Sequence, residues 1–172
     1  MSDSLRNKVV VITGASSGIG RSIALESASR GATVVLLARR LDKLEEIAAE
    51  ARELSASAAF AVKADLSLAS DIEAAFAEVK EKVKRIDYLV NAAGFGKFEE
   101  FMEADMQDAT EMFQVDVLGL MYMTRLFGRL MLDQGSADHQ LWLHGRQGAD
   151  DQVSGLQRRQ GSRNPVLQRS AP

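Results

Sequence analysis

Between residues 8 and 132 short apolar runs alternate with stretches whose apolar residues recur at helical spacing. Lys8–Thr13, KVVVIT, is a continuous apolar run rich in β-branched residues, the pattern of a strand buried on both faces. A glycine-rich turn follows, and Ile19 to Arg30 reads as a helix with Ile19, Ile23 and Ala24 on one face, stopped by Gly31. Thr33–Ala38 is a second buried strand. Leu41, Leu44, Ile47, Ala48, Ala51 and Leu54 then mark a helix. Phe60–Ala64 is a weaker third strand. Ile72, Ala75, Phe76, Val79 and Val83 mark the next helix, with Ser70 and Glu73 spaced as a capping box. Tyr88–Asn91, preceded by Ile86, is a fourth strand, followed by the loop Ala92–Lys97. Met112, Val115, Gly119, Tyr122, Met123, Leu126 and Leu130 predict one long, strongly apolar helix, with Asp105 as its cap.

Strand and helix in strict alternation imply right-handed βαβ crossovers, hence an α/β fold with helices on both faces of a parallel sheet. After about Gln134 the periodicity stops. Residues 137–172 contain no Lys, Glu, Ile, Phe, Tyr or Met, yet hold both Pro, both His, the single Trp and six of the nine Gln. A break this sharp marks a boundary. The expected organisation is an incomplete α/β domain over 1–136 and an irregular, disordered tail over 137–172. With no further strand legible, the fourth strand is expected to form a sheet edge, leaving the long helix short of neighbours on its inner side.

A chain of 172 residues is long enough for one domain with a core. Its net charge of −3 argues weakly against non-specific nucleic-acid binding. It has no cysteine, which excludes disulfides and thiolate sites. The first ten residues lack the apolar run of a signal peptide, and no stretch reaches membrane-spanning length, so a cytoplasmic protein is expected. His139 and His144 are five apart and have no carboxylate cluster beside them. They read as solvated, and no metal site is expected.

The chemistry concentrates at Thr13–Gly20, TGASSGIG, between the first strand and the first helix. Gly14 permits the sharp exit from the strand, Gly18 lets a pyrophosphate approach the backbone, and Gly20 lets the helix lie close to the sheet. The helix amino end favours an anion, and Ser16 and Ser17 add hydroxyl donors. The alternative is a tight turn that binds nothing. With the motif NAAG at Asn91–Gly94, this glycine spacing resembles the short-chain dehydrogenase/reductase family over about residues 7 to 134. The resemblance implies a Rossmann-like doubly wound sheet, in strand order 3-2-1-4-5-6-7 in the complete family and 3-2-1-4 for the four strands legible here. It also implies NAD(P)H as ligand. Gly14, Ser16, Ser17, Gly18, Ile19 and Gly20 then form the cradle. Asp65, with Leu66 beside it, matches the position near the adenine, and Asn91, Ala92, Ala93 and Gly94 line the ribose. Asp65 also reads as a turn or capping carboxylate, and the two roles can coexist.

The end of the second strand carries Ala38, Arg39 and Arg40. An acidic residue there would accept bonds from a free 2′-hydroxyl, whereas two guanidinium groups suit a 2′-phosphate. NADP(H) is therefore favoured over NAD(H). The alternative is a solvated basic pair.

The resemblance further implies hydride transfer between the nicotinamide and a carbonyl or alcohol carbon of an unknown small molecule. The family uses a Tyr acid/base, a Lys separated from it by three residues that lowers its pKa, a Ser and an Asn, and its members are usually homo-oligomers. The Asn position falls at Asp116, whose carboxylate cannot donate as an amide does. Its backbone carbonyl remains, and the plain alternative is a helix residue without a role. From residue 137 onward there is no Tyr and no Lys. The genetic code offers an explanation. Permitted codons for Asp138–Gln147, read one nucleotide forward, spell IINYGSMAGK, and continuing to Gly161 gives VQTTKSAVYSAAKA, with a Ser after an apolar run and a Tyr separated from a Lys by three residues. Ala137–Pro172 thus reads as out-of-frame translation. The rival is a true short variant with a disordered tail. Two function classes follow: an NADP(H)-dependent oxidoreductase whose catalytic Ser, Tyr and Lys are missing from this chain, or a non-catalytic dinucleotide-binding or interaction module, or a non-functional fragment.

Overall fold

Successive residues of a strand point to opposite faces, so a run such as Val9–Thr13 is stable only if both faces are covered. The computed structural model, which describes residues 5–55, 57–97, 100, 102–134 and the backbone of 140–143, covers both. Its elements are β1 (Val9–Thr13), α1 (Gly18–Ser29), β2 (Thr33–Ala38), α2 (Leu41–Leu54), β3 (Ala59–Lys63), α3 (Ala69–Lys82), β4 (Tyr88–Asn91), α4 (Met106–Phe113), a π-helical turn (Gln114–Gly119), α5 (Leu120–Asp133) and β5 (Gln140–Leu143). The sheet order is β3-β2-β1-β4-β5, and each pairing is parallel. The order of the four legible strands is the expected 3-2-1-4.

Val10 and Ile12 of β1, with Val34 and Leu36 of β2, face α1 and α2 and join Ala24, Ala28, Leu44 and Ile47 in one core. Val11, Val35, Leu37 and Leu89 face the other way, into a second core with Ile72, Val79, Met123 and Phe127 from α3 and α5. Burying each such side chain contributes about 1.5–3 kcal/mol. At the amino-terminal edge, fully buried Asp87 accepts the Val9 N–H at 2.9 Å and pairs with Lys8 at 3.3 Å and with Arg85. This fastens β4 to the start of β1, opposite the edge where the glycine turn lies.

Four expectations need correction. Gln140–Leu143 lies in the segment expected to be irregular, yet it pairs with β4, Tyr88 beside Gln140 and Asn91 beside Leu143, so β4 is interior. Four residues among polar neighbours are too few to carry a period, and only the exposed ladder of β4 makes them a strand. The rest of 137–172 lies outside the described residues. The long apolar helix is likewise not one regular element. It is α4, a π-helical turn and α5 in succession, with Asp105 accepting the Gln107 N–H at 2.8 Å as the expected cap. The Ser70–Glu73 capping box does not form. The N-cap falls at Leu68, two residues before Ser70, so the helix begins at Ala69, and Glu73 accepts from the Tyr122 hydroxyl instead. Ile19, expected on the core face of α1, is 50% exposed, because the first turn of α1 projects beyond the strand ends and leaves Ala24 and Ala28 to make the contact.

Candidate cofactor-binding site

A parallel sheet collects the carboxyl ends of its strands along one edge, and a crevice opens where the strand order reverses. Here that place lies between β1 and β4. Thr13, the last residue of β1, is buried, and its hydroxyl accepts the N–H groups of Ala92 and Ala93, both at 3.1 Å. This single side chain ties the loop after β4 to the mouth of the glycine turn. It escaped sequence reasoning because it looks like the end of an ordinary strand. The available signal was a hydroxyl immediately before Gly14.

The turn needs its glycines for different reasons. Gly14 has φ +65°, and a Cβ there would stand 2.6 Å from Ala93 Cα and 2.7 Å from Ala92 O. Gly18 has φ +54°, but a Cβ there would meet nothing within 4 Å, so its face is open to an incoming group. Gly20 lies against the Gly14 carbonyl, which a Cβ would approach to 2.4 Å. Ser17 is the N-cap of α1 in extended conformation, and its side chain makes no cap bond. The first backbone N–H groups of the helix are therefore left for another acceptor. Ser16 meets Arg40, whose Nη2 lies 3.1 Å from the Ser16 Oγ and 3.4 Å from its carbonyl oxygen.

Arg39 points the other way along the rim and pairs with Glu111 of α4 at 3.5 Å. Asp65, just beyond β3, accepts the Ser67 N–H at 3.0 Å and the Ser67 hydroxyl at 2.7 Å, while its own N–H donates to Asp71 at 3.2 Å. Partial burial pushes its carboxyl pKa up, but the two Ser67 bonds and the Arg39 charge outweigh this, and the pKa lies below the ordinary carboxylate value. The local job of Asp65 is thus the turn carboxylate. The Leu66 side chain belongs to the core beneath the rim.

On the far side, Asn91 is 1% exposed, donates to the Thr124 hydroxyl at 3.2 Å, and keeps its Oδ1 without a partner among the described residues. Gly94 gives room to Asp116, whose Oδ1 would be 3.1 Å from a Cβ there and accepts the Phe95 N–H at 3.1 Å. Asp116 is therefore engaged in holding the loop after β4 rather than standing idle on the helix. Lys97 pairs with Asp108, which ties the same loop to α4. The sequence-predicted residues lie in the turn after β1 and the first turn of α1, just after β2 and β3, at the last residue of β4 and in the loop behind it, and, for Asp116, in the π-helical turn. Sequence reasoning missed Thr13, Ser67, Asp71, Glu111 and Thr124. Among the described residues no group of three or more His, Cys, Asp or Glu could hold a metal ion, and no helix is long and apolar enough to cross a membrane.

A parallel sheet with helices on both faces and a glycine turn at its switch point defines a Rossmann-like α/β protein. A family model described as short chain dehydrogenase matches residues 8–138, and the chain belongs to that family of oxidoreductases. It is 42% identical over 125 residues to 11-beta-hydroxysteroid dehydrogenase A of Sesamum indicum, covering 72% of this chain and 36% of that protein. It is 36% identical over 125 residues to 11-beta-hydroxysteroid dehydrogenase-like 2 of Arabidopsis thaliana, covering 71% of this chain and 40% of that protein. Among solved structures, it resembles L-sorbose reductase from Gluconobacter frateurii complexed with NADPH and L-sorbose, with TM-score 0.74, 33% identity and coverage of 78% of this chain and 51% of that one. It also resembles an alcohol dehydrogenase from Thermococcus sibiricus complexed with 5-hydroxy-NADP, with TM-score 0.72, 35% identity and coverage of 75% and 55%. The chain therefore spans about two fifths of the curated relatives and about half of the structural ones.

Proposed function

We propose that this chain is the cofactor-binding part of an NADP(H)-dependent oxidoreductase of the short-chain type, acting on a carbonyl or alcohol. The observation that carries the cofactor preference is the pair of guanidinium groups at the end of β2, one beside Ser16 of the glycine turn and one at the rim near Asp65. A 2′-phosphate is matched there by charge and by donor geometry, whereas the position directly after β2 carries Arg39 and not a carboxylate to accept from a 2′-hydroxyl. The cradle fits a dinucleotide: the space over Gly18 is open, and the first turn of α1 offers free N–H groups. The nicotinamide, when bound, supplies or accepts the hydride. This chain's residues hold the pyrophosphate and the adenosine and fix the loop after β4 through Thr13 and Asp116. L-Sorbose reductase with NADPH and the alcohol dehydrogenase with 5-hydroxy-NADP are consistent neighbours.

Binding measured by cofactor fluorescence should favour NADPH over NADH, and Arg39→Asp should reverse that order. Unchanged relative affinities in the variant would refute the assignment.

The absence of Tyr and Lys after residue 136 favours a binding role for the 172 residues alone, so NADPH binding without turnover is expected from this polypeptide. The out-of-frame reading of Ala137–Pro172 accounts for that absence. It is supported by the composition break and by the family match ending at residue 138. The coding DNA past the Gly135 codon decides it, since codons incompatible with the shifted peptide eliminate a frameshift.

A further inference from the structure

We propose that Glu111 is a specificity-determining residue that competes with the cofactor's 2′-phosphate for Arg39. This rests on the NADP(H) reading above. The Arg39–Glu111 pair spans 3.5 Å between the rim after β2 and α4, with side chains 59% and 48% exposed. A solvated pair of this length is weak and exchangeable. A 2′-phosphate, with nearly two negative charges and three acceptor oxygens, is the stronger partner for a guanidinium. Binding it therefore replaces the Glu111 contact. The freed carboxylate then stays close to the incoming phosphate and repels it. Among the described residues Arg40 has no such rival, and its contacts are with the hydroxyl and carbonyl of Ser16. The two arginines are thus unequal: Arg40 is held toward the cradle, and Arg39 is withheld until a ligand takes it.

Glu111 sits where this competition costs the fold little. Helix α4 has no buried residue, and its polar ties are Glu111 to Arg39, Asp108 to Lys97, and the Asp105 cap. The acid therefore acts on the cofactor rather than on the core. An NAD(H) ligand, lacking the phosphate, leaves the pair intact and is indifferent to Glu111.

The test uses the full chain and Glu111→Gln, alone and with Arg39→Ala, titrated with NADPH and NADH by fluorescence, with circular dichroism as the check of folding. Glu111→Gln should tighten NADPH binding by about two- to fivefold, the scale of one exposed ion pair, and leave NADH unchanged. In the Arg39→Ala background the gain should vanish. Half-molar salt should shrink it. If the unaltered chain prefers NADPH and Glu111→Gln changes neither cofactor, or both equally, the role of Glu111 is overturned while the cofactor reading stands. If the unaltered chain shows no preference for NADPH, the cofactor reading itself falls, and this inference falls with it.

Discussion

Gly14 and Gly18 share a left-handed backbone but not an environment, and the difference separates folding from binding. An alanine at either position meets the conformational penalty, roughly 1–2 kcal/mol. At Gly14 the added methyl also strikes the backbone of Ala92 and Ala93, so two strand ends must separate. At Gly18 it projects into open space, the face proposed above for the pyrophosphate. Gly18→Ala should thus fold with a cost of about 1–2 kcal/mol and bind NADPH poorly, whereas Gly14→Ala should lose considerably more stability. Denaturant midpoints and NADPH titrations on the two variants check this, and equal midpoints would contradict the steric account. Both glycines were legible in the sequence because backbone need leaves a residue-type signature. Glu111 left none, since an acid on an exposed helix face looks like any solvated charge.

The stretch from Met106 to Asp133 shows what periodicity captures and where it fails. Val115, Gly119, Met123, Phe127 and Met131 recur every four residues and are buried, but expecting one regular helix overlooked Phe127 and Met131. The π-helical turn widens the path just where Gly119 meets the Leu66 carbonyl, which a Cβ there would approach to 2.3 Å. The same turn carries Asp116 to the loop after β4. A π turn of this kind is common beside functional sites and has no hydrophobic period of its own. Phe127 touches Phe76 of α3 edge-on with ring centroids 5.0 Å apart. Phe127→Ala should cost about 3–5 kcal/mol by urea denaturation, while Phe113→Ala on the exposed side of α4 should stay within about 0.5 kcal/mol. Similar costs for the two would show that α5 is not seated on α3.

At the scale of the molecule, the second core closes one side of α5, and among the described residues nothing covers the other. Phe113, Leu118, Met121 and Leu132 are exposed along α4, the π turn and α5, and β5 is the outermost strand of the described sheet. Apolar surface of this extent and an available strand edge favour association. Sedimentation should show the 172-residue chain self-associating, and replacing Leu118 and Met121 with Ser should shift it toward monomer without lowering its melting temperature. A soluble monomer at high concentration would contradict this.

Residue order alone was enough for the alternation of strands and helices, the parallel sheet, the glycine cradle and the paired arginines. These rest on local chemistry: burial on both faces, a backbone only glycine adopts, charge suited to phosphate. Contacts between distant segments settled the rest. β5 exists because β4 offers it an unpaired ladder. Asp65 serves as a turn carboxylate because Ser67 and Asp71 converge on it. Thr13 and Asp116 hold the loop after β4 because the end of β1, the end of β4 and the π-helical turn meet there, and no periodicity along the chain encodes that meeting.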